Sequence, residues 1–322
     1  MITNSKNKII TIGETYLSSK SEDLSLQGYE INVATSLSSF GQEVVYLTAV
    51  PDSVVGEAAT ALMMKRGINT EYVVKVEQYN AICEEQQSNS KLPESGKTDT
   101  EQHYNILWNA LQWNLILKDA HCFFWSQSLA RQKSVFDSTT KILKKIHSRG
   151  VLISTDLSFI SSTVNHRKNR KDKSASLIRF STIVIAGVND INKLLGTDFG
   201  TDRNGFISAC KHLTLRYPNI IKIFDKVNFE SKCYGRGWVN DEYIETYMIE
   251  IGTVLNSNGA GQSFTAGLLY ILRFHQDIHA LNFATAAYAL NYSAIDDYNT
   301  ASINQIINTY QSSRMSQGEI VI

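Results

Sequence analysis

The stretch Asn256-Ser257-Asn258-Gly259-Ala260-Gly261-Gln262-Ser263-Phe264 runs directly into Thr265-Ala266-Gly267-Leu268-Leu269-Tyr270-Ile271-Leu272. The apolar run reads as a buried helix, and the small residues before it let backbone N–H groups at its start approach an anion closely. Gly259 and Gly261 also suit a tight strand-to-helix junction with no ligand. Gln262 falls in the first turn, where its amide hydrogen-bonds a hydroxyl but takes no proton from it near neutral pH.

On either side the chain alternates between strand-like and helix-like segments. Lys8 to Gly13 reads as a first buried strand, Asn32 to Phe40 as a helix, Glu43 to Val50 as a strand and Gly56 to Arg66 as a helix. The rhythm resumes with the strand Cys122 to Trp125, a helix over Lys133 to His147 and the strand Val151 to Thr155. Strands over Ser181 to Ala186 and Ile220 to Phe224 follow, then a small-residue helix over Leu281 to Leu290 and an amphipathic helix over Ile303 to Tyr310. This β-α-β order predicts an α/β fold with a mostly parallel, helix-covered sheet. Glu71 to Cys83 reads as an exposed strand, and Glu84 to Gln102 as a polar loop. Trp108, Trp113, Phe123, Phe124 and Trp125 read as core rather than a nucleotide stack.

Composition narrows the function. The 322 residues are 43% apolar, enough for a full-sized core, and the formal net charge is zero, so nothing draws the chain toward nucleic acid or membrane. Ile9 to Gly13 is too short for a signal peptide, and no apolar run reaches the roughly 18 to 20 residues that span a bilayer; the expected location is cytoplasmic. Cys83, Cys122, Cys210 and Cys233 are scattered without zinc-ligand spacing and read as reduced thiols. The basic tract His166 to Lys173 reads as a solvated face.

The Asn256–Phe264 segment resembles the D-T-x-G-A-G-D-x-F signature of the ribokinase-like (PfkB) carbohydrate kinases, with Gln262 where that family has its catalytic aspartate. Gly28 to Gly41 is similar to the family's G-G-x-x-x-N-x-A-x-x-L-x-x-L-G, and Val50 to Gly56 and Arg66 to Thr70 continue the likeness. Gly13-Glu14, Thr155 to Phe159 and Ile295 to Asn299 resemble the 2-keto-3-deoxygluconate kinase branch. The resemblance implies one ribokinase-like domain over 1–322: a three-layer sandwich with a small β-sheet lid inserted at about 14–27 and 71–114, through which a homodimer forms.

It also implies site residues. Gln262 takes the place of the base, and Gly259, Ala260 and Gly261 form the anion hole. Glu14, Gly28, Asn32, Tyr104 and Asp156 face a sugar or sugar acid, while Asp190, Lys222, Asn256 and Asn282 serve ATP and Mg2+. Asp190 stands for the glutamate of the family's N-x-x-E segment, and Phe224 replaces the glycine of its K-x-G strand end. Ile160 and, more loosely, Ile106 after Tyr104 stand where the sugar-acid branch has arginines, a loss of about 1.5 to 3 kcal/mol of charge-assisted pairing at each. With Asn256 and Gln262 both amides, the resemblance points to a kinase homologue with weakened or lost phosphotransfer unless Asp52 or Asp156 supplies the base. The alternative is a non-catalytic ligand-binding or regulatory protein.

Overall fold

The computed structural model describes residues 7–20, 23–77, 82–83, 100–126, 135–158 and 173–317. The chain begins β1 (Lys8–Ile12), β2 (Tyr16–Lys20), β3 (Asp23–Gln27), α1 (Tyr29–Ser39), β4 (Val44–Pro51), α2 (Val54–Lys65), β5 (Val73–Val76) and β6 (Ile82–Cys83). It continues α3 (Thr100–Ala110), α4 (Trp113–Ile116), β7 (Ala120–Ser126), α5 (Val135–His147), β8 (Leu152–Asp156), a 3-10 helix (Lys173–Phe180), β9 (Ile183–Ile185), α6 (Val188–Leu195) and α7 (Arg203–Arg216). β10 (Lys222–Phe229), β11 (Lys232–Val239), β12 (Glu242–Glu245), β13 (Ile249–Glu250), α8 (Ala260–Ile271), α9 (Asp277–Asn291) and α10 (Ile303–Ser316) complete it.

The main sheet runs β12-β11-β10-β9-β8-β7-β1-β4-β5, with β13 pairing β11. From β5 to β10 every pairing is parallel, and β11 reverses direction. Because both faces of the parallel strands are covered, β1 and β4 are apolar nearly throughout and alternate between two cores. Ile9, Val44 and Phe124 face a core shared with α1, α8 and α9, while Ile10, Val45 and Phe123 face α3, α4 and α5. β9, β10 and β11 contribute Val184, Ile223 and Trp238 to a third core against α6 and α7. This is the three-layer α/β sandwich expected. The predicted aromatic zone divides between the layers, and Phe123, Phe124 and Trp125 are fully buried.

Two features position a ligand site. From β1 the chain builds outward to β4 and β5, then returns to place β7 on the other side of β1. The crevice beyond the carboxyl ends of β1 and β7 is therefore a topological switch point, where ligands gather in open α/β sheets. The small sheet β3-β2-β6 forms a lid, rooted in the chain that leaves β1.

The expected lid segment 71–114 is corrected at both ends. Val73–Val76 pairs with β4 in the main sheet, and Thr100–Ala110 is a helix packed on α5 and β4. Leu107 is fully buried there, in the core shared with α5, so this stretch belongs to the α/β layers rather than to the lid. Residues 84–99, Ile160 and tract residues 166–172 lie outside the described residues.

α8 and α9 form the closest helix pair. A Cβ on Gly267 would lie 3.1 Å from the Ala284 Cα, so glycine there lets the backbones touch. Phe264, Leu268 and Leu269 are buried along α8, each contributing roughly 1.5 to 3 kcal/mol.

Candidate functional site

The N-terminus of α8 opens on Gly259, which adopts φ 82°. A Cβ there would come within 2.3 Å of the Asp297 carbonyl carbon, so both the left-handed backbone and the neighbouring chain require glycine. The first helical bond runs from Ser263 N–H to the Gly259 carbonyl. By helix geometry the N–H groups of Ala260, Gly261 and Gln262 have no intrahelical acceptor. The Gln262 side chain is half-buried in this first turn.

Asn256 is a clamp between loops. Its Nδ2 donates to the Ile295 carbonyl at 2.9 Å and to Asp297 Oδ1 at 2.7 Å, and its Oδ1 accepts from Asn258 N–H at 2.9 Å. Every polar atom of the amide is thus engaged in shaping the turn before α8.

Asp156 ends β8 fully buried. Its Oδ2 accepts from the Tyr29 hydroxyl and from Thr265 Oγ1 at 3.0 Å, and its Oδ1 from Ser158 N–H at 2.8 Å. Burial and the facing Asp156 charge push the Tyr29 phenol well above its usual pKa, which keeps it a donor. The carboxylate thereby ties α1, β8 and α8 together, with Oδ2 accepting from two donors and Oδ1 from one. Asp52 is exposed beyond β4, three strands away from β8, or roughly 14 Å.

At the switch point the structure brings Glu14, Gly28 and Asn32 together. A Cβ on Gly28, at φ 143°, would lie 2.7 Å from the Glu14 carbonyl oxygen, and Asn32 N–H donates to the Gly28 carbonyl. Glu14 Oε2 accepts from the Tyr16 hydroxyl, but Glu14 Oε1 and Asn32 Oδ1 are buried with no hydrogen-bond partner. Two orphaned acceptors call for a donor-bearing ligand, since each unpaired group costs about 1 to 3 kcal/mol. Glu30, buried beneath Gly13, accepts from Ser126 Oγ and closes the floor.

Three predicted residues lie elsewhere. Lys222 begins β10, pairs in register with Ile183 and forms an ion pair with Asp277. It lines a cavity of about 230 Å³ with His121, Leu152 and Thr182 at the amino ends of the strands, the wrong end of the sheet for a nucleotide site. Tyr104 lies on α3 in an outer layer rather than on a lid strand, as does half-buried Ile106. Asn282 lines a separate cavity of about 580 Å³ with Glu245, Tyr247, His279 and Arg314.

Asp190 is near the α8 start. Its Oδ2 caps α6 by accepting from Gly187 N–H at 3.0 Å, while its Oδ1 is buried without a partner. Burial raises its pKa from 3.8 to about 6; Gly187 N–H and Lys226 oppose the rise, and Asp156 and Asp225 add to it. Asp225 is buried on the adjoining strand and receives Arg236 Nε at 2.9 Å and Nη2 at 2.8 Å on one oxygen. These carboxylates fit Mg2+ poorly: Asp225 is tied to an arginine, Asp156 already accepts from three protein donors, and the Lys226 ammonium acts on Asp190 and Asp225. Hard divalent cations need several free oxygens.

The residues that sequence reasoning missed are Tyr29, Glu30, Thr265 and Lys226. Tyr29 and Glu30 lie inside the matched Gly28–Gly41 segment, and Lys226 shares the strand face of Lys222 four residues on.

The chain belongs to the pfkB family of carbohydrate kinases, whose profile matches residues 24–218. The match takes in the Gly28–Gly41 segment and ends before Asn256. Among solved structures, the chain is similar to 2-dehydro-3-deoxygluconokinase of Thermotoga maritima, at 22% identity and TM-score 0.77, covering 94% of this chain and 99% of that one. Fructokinase of Xylella fastidiosa with bound ATP aligns at 15% identity and TM-score 0.72 over 98% of this chain and 100% of that one. An E. coli protein described as a ribokinase II, in complex with ATP and Mg2+, aligns at 14% identity and TM-score 0.72 over 95% and 99%. These likenesses establish the fold. No curated protein sequence matches the chain, and among the described residues no helix is long and apolar enough to cross a membrane.

Proposed function

We propose that this chain is a carbohydrate-kinase homologue that binds a sugar or sugar acid, resembles the 2-keto-3-deoxygluconate kinases, and has weak or lost ATP-dependent phosphotransfer. The observation that carries this reading is Gln262 in the first turn of α8, with the buried Asp156 already accepting from three protein donors. Attack by a sugar hydroxyl on a phosphoryl group needs an acceptor for the hydroxyl proton, and a missing general base lowers the rate by about 10² to 10⁴.

In this reading 1–322 works as one ribokinase-like unit. Glu14 Oε1 and Asn32 Oδ1 accept from sugar hydroxyls, beside Gly28 and beneath the lid, while the N–H groups of Ala260, Gly261 and Gln262 receive the phosphate of ATP or a related ligand. Asn256 and Gly259 hold that turn in shape, and Asn282 serves the nucleotide from its separate cavity. Leu24, half exposed on β3, supports a homodimer through the lid.

The test is phosphotransfer from ATP to 2-keto-3-deoxygluconate, fructose and ribose by the wild type and Gln262→Asp. The wild type should turn over at least about a hundredfold more slowly than the variant. Robust wild-type turnover overturns the reading. Sugar binding by calorimetry with no transfer by either form favours the second reading, a ligand-binding or regulatory protein, which the clamped Asn256 also suits.

A further inference from the structure

The α8 start faces a cation that the chain itself supplies. Lys226 lies on β10 two residues beyond buried Phe224, on the same strand face. Its Nζ is 3.2 Å from Ser158 Oγ, 5.5 Å from the Phe264 ring centroid and 4.0 Å from where a Cβ on Gly261 would stand. The ammonium thus lies beside Gly261, in the first turn of α8. Lys222, at the other end of the strand, is neutralised by Asp277, whereas Lys226 forms no ion pair among the described residues.

A second observation points to the same place. Asp190 is 8% exposed, and its Oδ1 has no hydrogen-bond partner. Asp190 Oδ2 and Asp225 Oδ1 both flank Gly187, 3.5 and 3.3 Å from where a Cβ would stand, so the carboxyl lies beside the strand that carries Lys226. An ammonium carries three donors, and here one reaches Ser158. The remaining two match in kind an oxygen of a bound anion and the orphaned Asp190 Oδ1.

This arrangement suits an anion and opposes a divalent cation. A phosphate meets the three leading N–H groups, the positive end of the helix dipole and a full positive charge. A magnesium ion meets that same charge as repulsion, with Asp225 already bound to Arg236. We propose that Lys226 is the phosphate-binding residue of this site, its ammonium holding the charge-neutralising place of a divalent cation, so that phosphate-bearing ligands bind without metal. The inference rests on the reading that the α8 start accepts phosphate, and it adds the residue and the metal independence.

Calorimetry of the full chain with ADP and with inorganic phosphate, in EDTA and in millimolar magnesium, tests it. ADP should bind equally well, within about threefold, in both conditions, and Lys226→Met should weaken ADP and phosphate at least about tenfold in EDTA. Lys226→Gln, which keeps a donor for Ser158, should show the same loss and serves if the methionine variant does not fold. ADP binding that needs magnesium, or affinity unchanged in both Lys226 variants, overturns the proposal while leaving the phosphate site standing. Wild-type protein that binds neither ligand in either condition overturns the phosphate site, and this proposal with it.

Discussion

Replacing Asp190 by asparagine should change the pH dependence of stability by an amount the structure sets. Asp190 titrates near 3.8 unfolded and about 6 folded, chiefly because burial disfavours its charge. Between those values the folded state holds the proton that the unfolded state has released. The stability contributed by the protonated group is therefore complete below about pH 4 and is lost as pH rises through about 6. At about 1.4 kcal/mol per pH unit, the span costs the wild type roughly 3 kcal/mol at pH 7 and above.

Asparagine retains an oxygen for Gly187 N–H and has nothing to ionise. Its buried NH2 brings a penalty of its own, but that penalty does not vary with pH. The measured quantity is thus the difference in unfolding free energy, variant minus wild type, from urea titrations at pH 4, 5, 6, 7 and 8. It should rise by about 3 kcal/mol between pH 4 and pH 8, with its steepest change between pH 4 and 6. A difference that stays flat, or falls with pH, refutes both the raised pKa and the burial that explains it.

Asn256→Asp sets a carboxylate against Asp297 Oδ1, now 2.7 Å from the amide nitrogen, and should cost about 2 kcal/mol in urea unfolding, largely restored by Asp297→Asn. Gly259→Ala forces a Cβ into the Asp297 backbone at a positive φ, so thermal unfolding should show a loss of about 3 kcal/mol or more. Arg236→Met strands Asp225, 6% exposed, without its partner and should cost about 3 to 5 kcal/mol at pH 7, measured by urea unfolding. Arg236→Met with Asp225→Leu should recover most of that loss.

The parallel core was legible because its strands are apolar on both faces, so that Ile9, Ile10 and Val44 to Val50 announce themselves without any long-range information. The β11 strand was not, since Gly235 and Gly237 interrupt its apolar pattern. They are strand glycines because a Cβ on Gly235 would meet Thr285 Oγ1 at 2.4 Å, and one on Gly237 the Phe224 ring at 3.0 Å. α3 escaped notice for the opposite reason. Its sequence is polar on most sides, and Leu107 alone among its described side chains is buried. At the site, local turn chemistry marked Gly259 to Gln262 as a helix start, while Glu14, Gly28 and Asn32 were grouped only by the family resemblance. Which lysine faces the helix depended on where β10 ends, a property of the sheet rather than of the motif.

Charge balance connects the departures in this site. A carboxylate at 262 would stand in the first turn that Lys226 overlies, and one at 256 would face Asp297. The two amides relieve the second conflict and leave the lysine free of a covalently fixed counter-ion. Phe224 follows the same logic, because its ring fills the space beside Gly237 and stiffens the strand that carries Lys226 two residues later. Restoring a single acid to this site is therefore not a return to an ancestral state. Aspartate at 262 gains a proton acceptor but sets it beside an ammonium, which lowers its basicity along with its pKa. If phosphotransfer in Gln262→Asp is small, adding Lys226→Met should raise it in magnesium and leave it unchanged in EDTA, because removing the ammonium takes away the charge that lowers the base's pKa and repels the metal. A double variant no faster than Gln262→Asp in magnesium would show that Lys226 does not set the charge of this site.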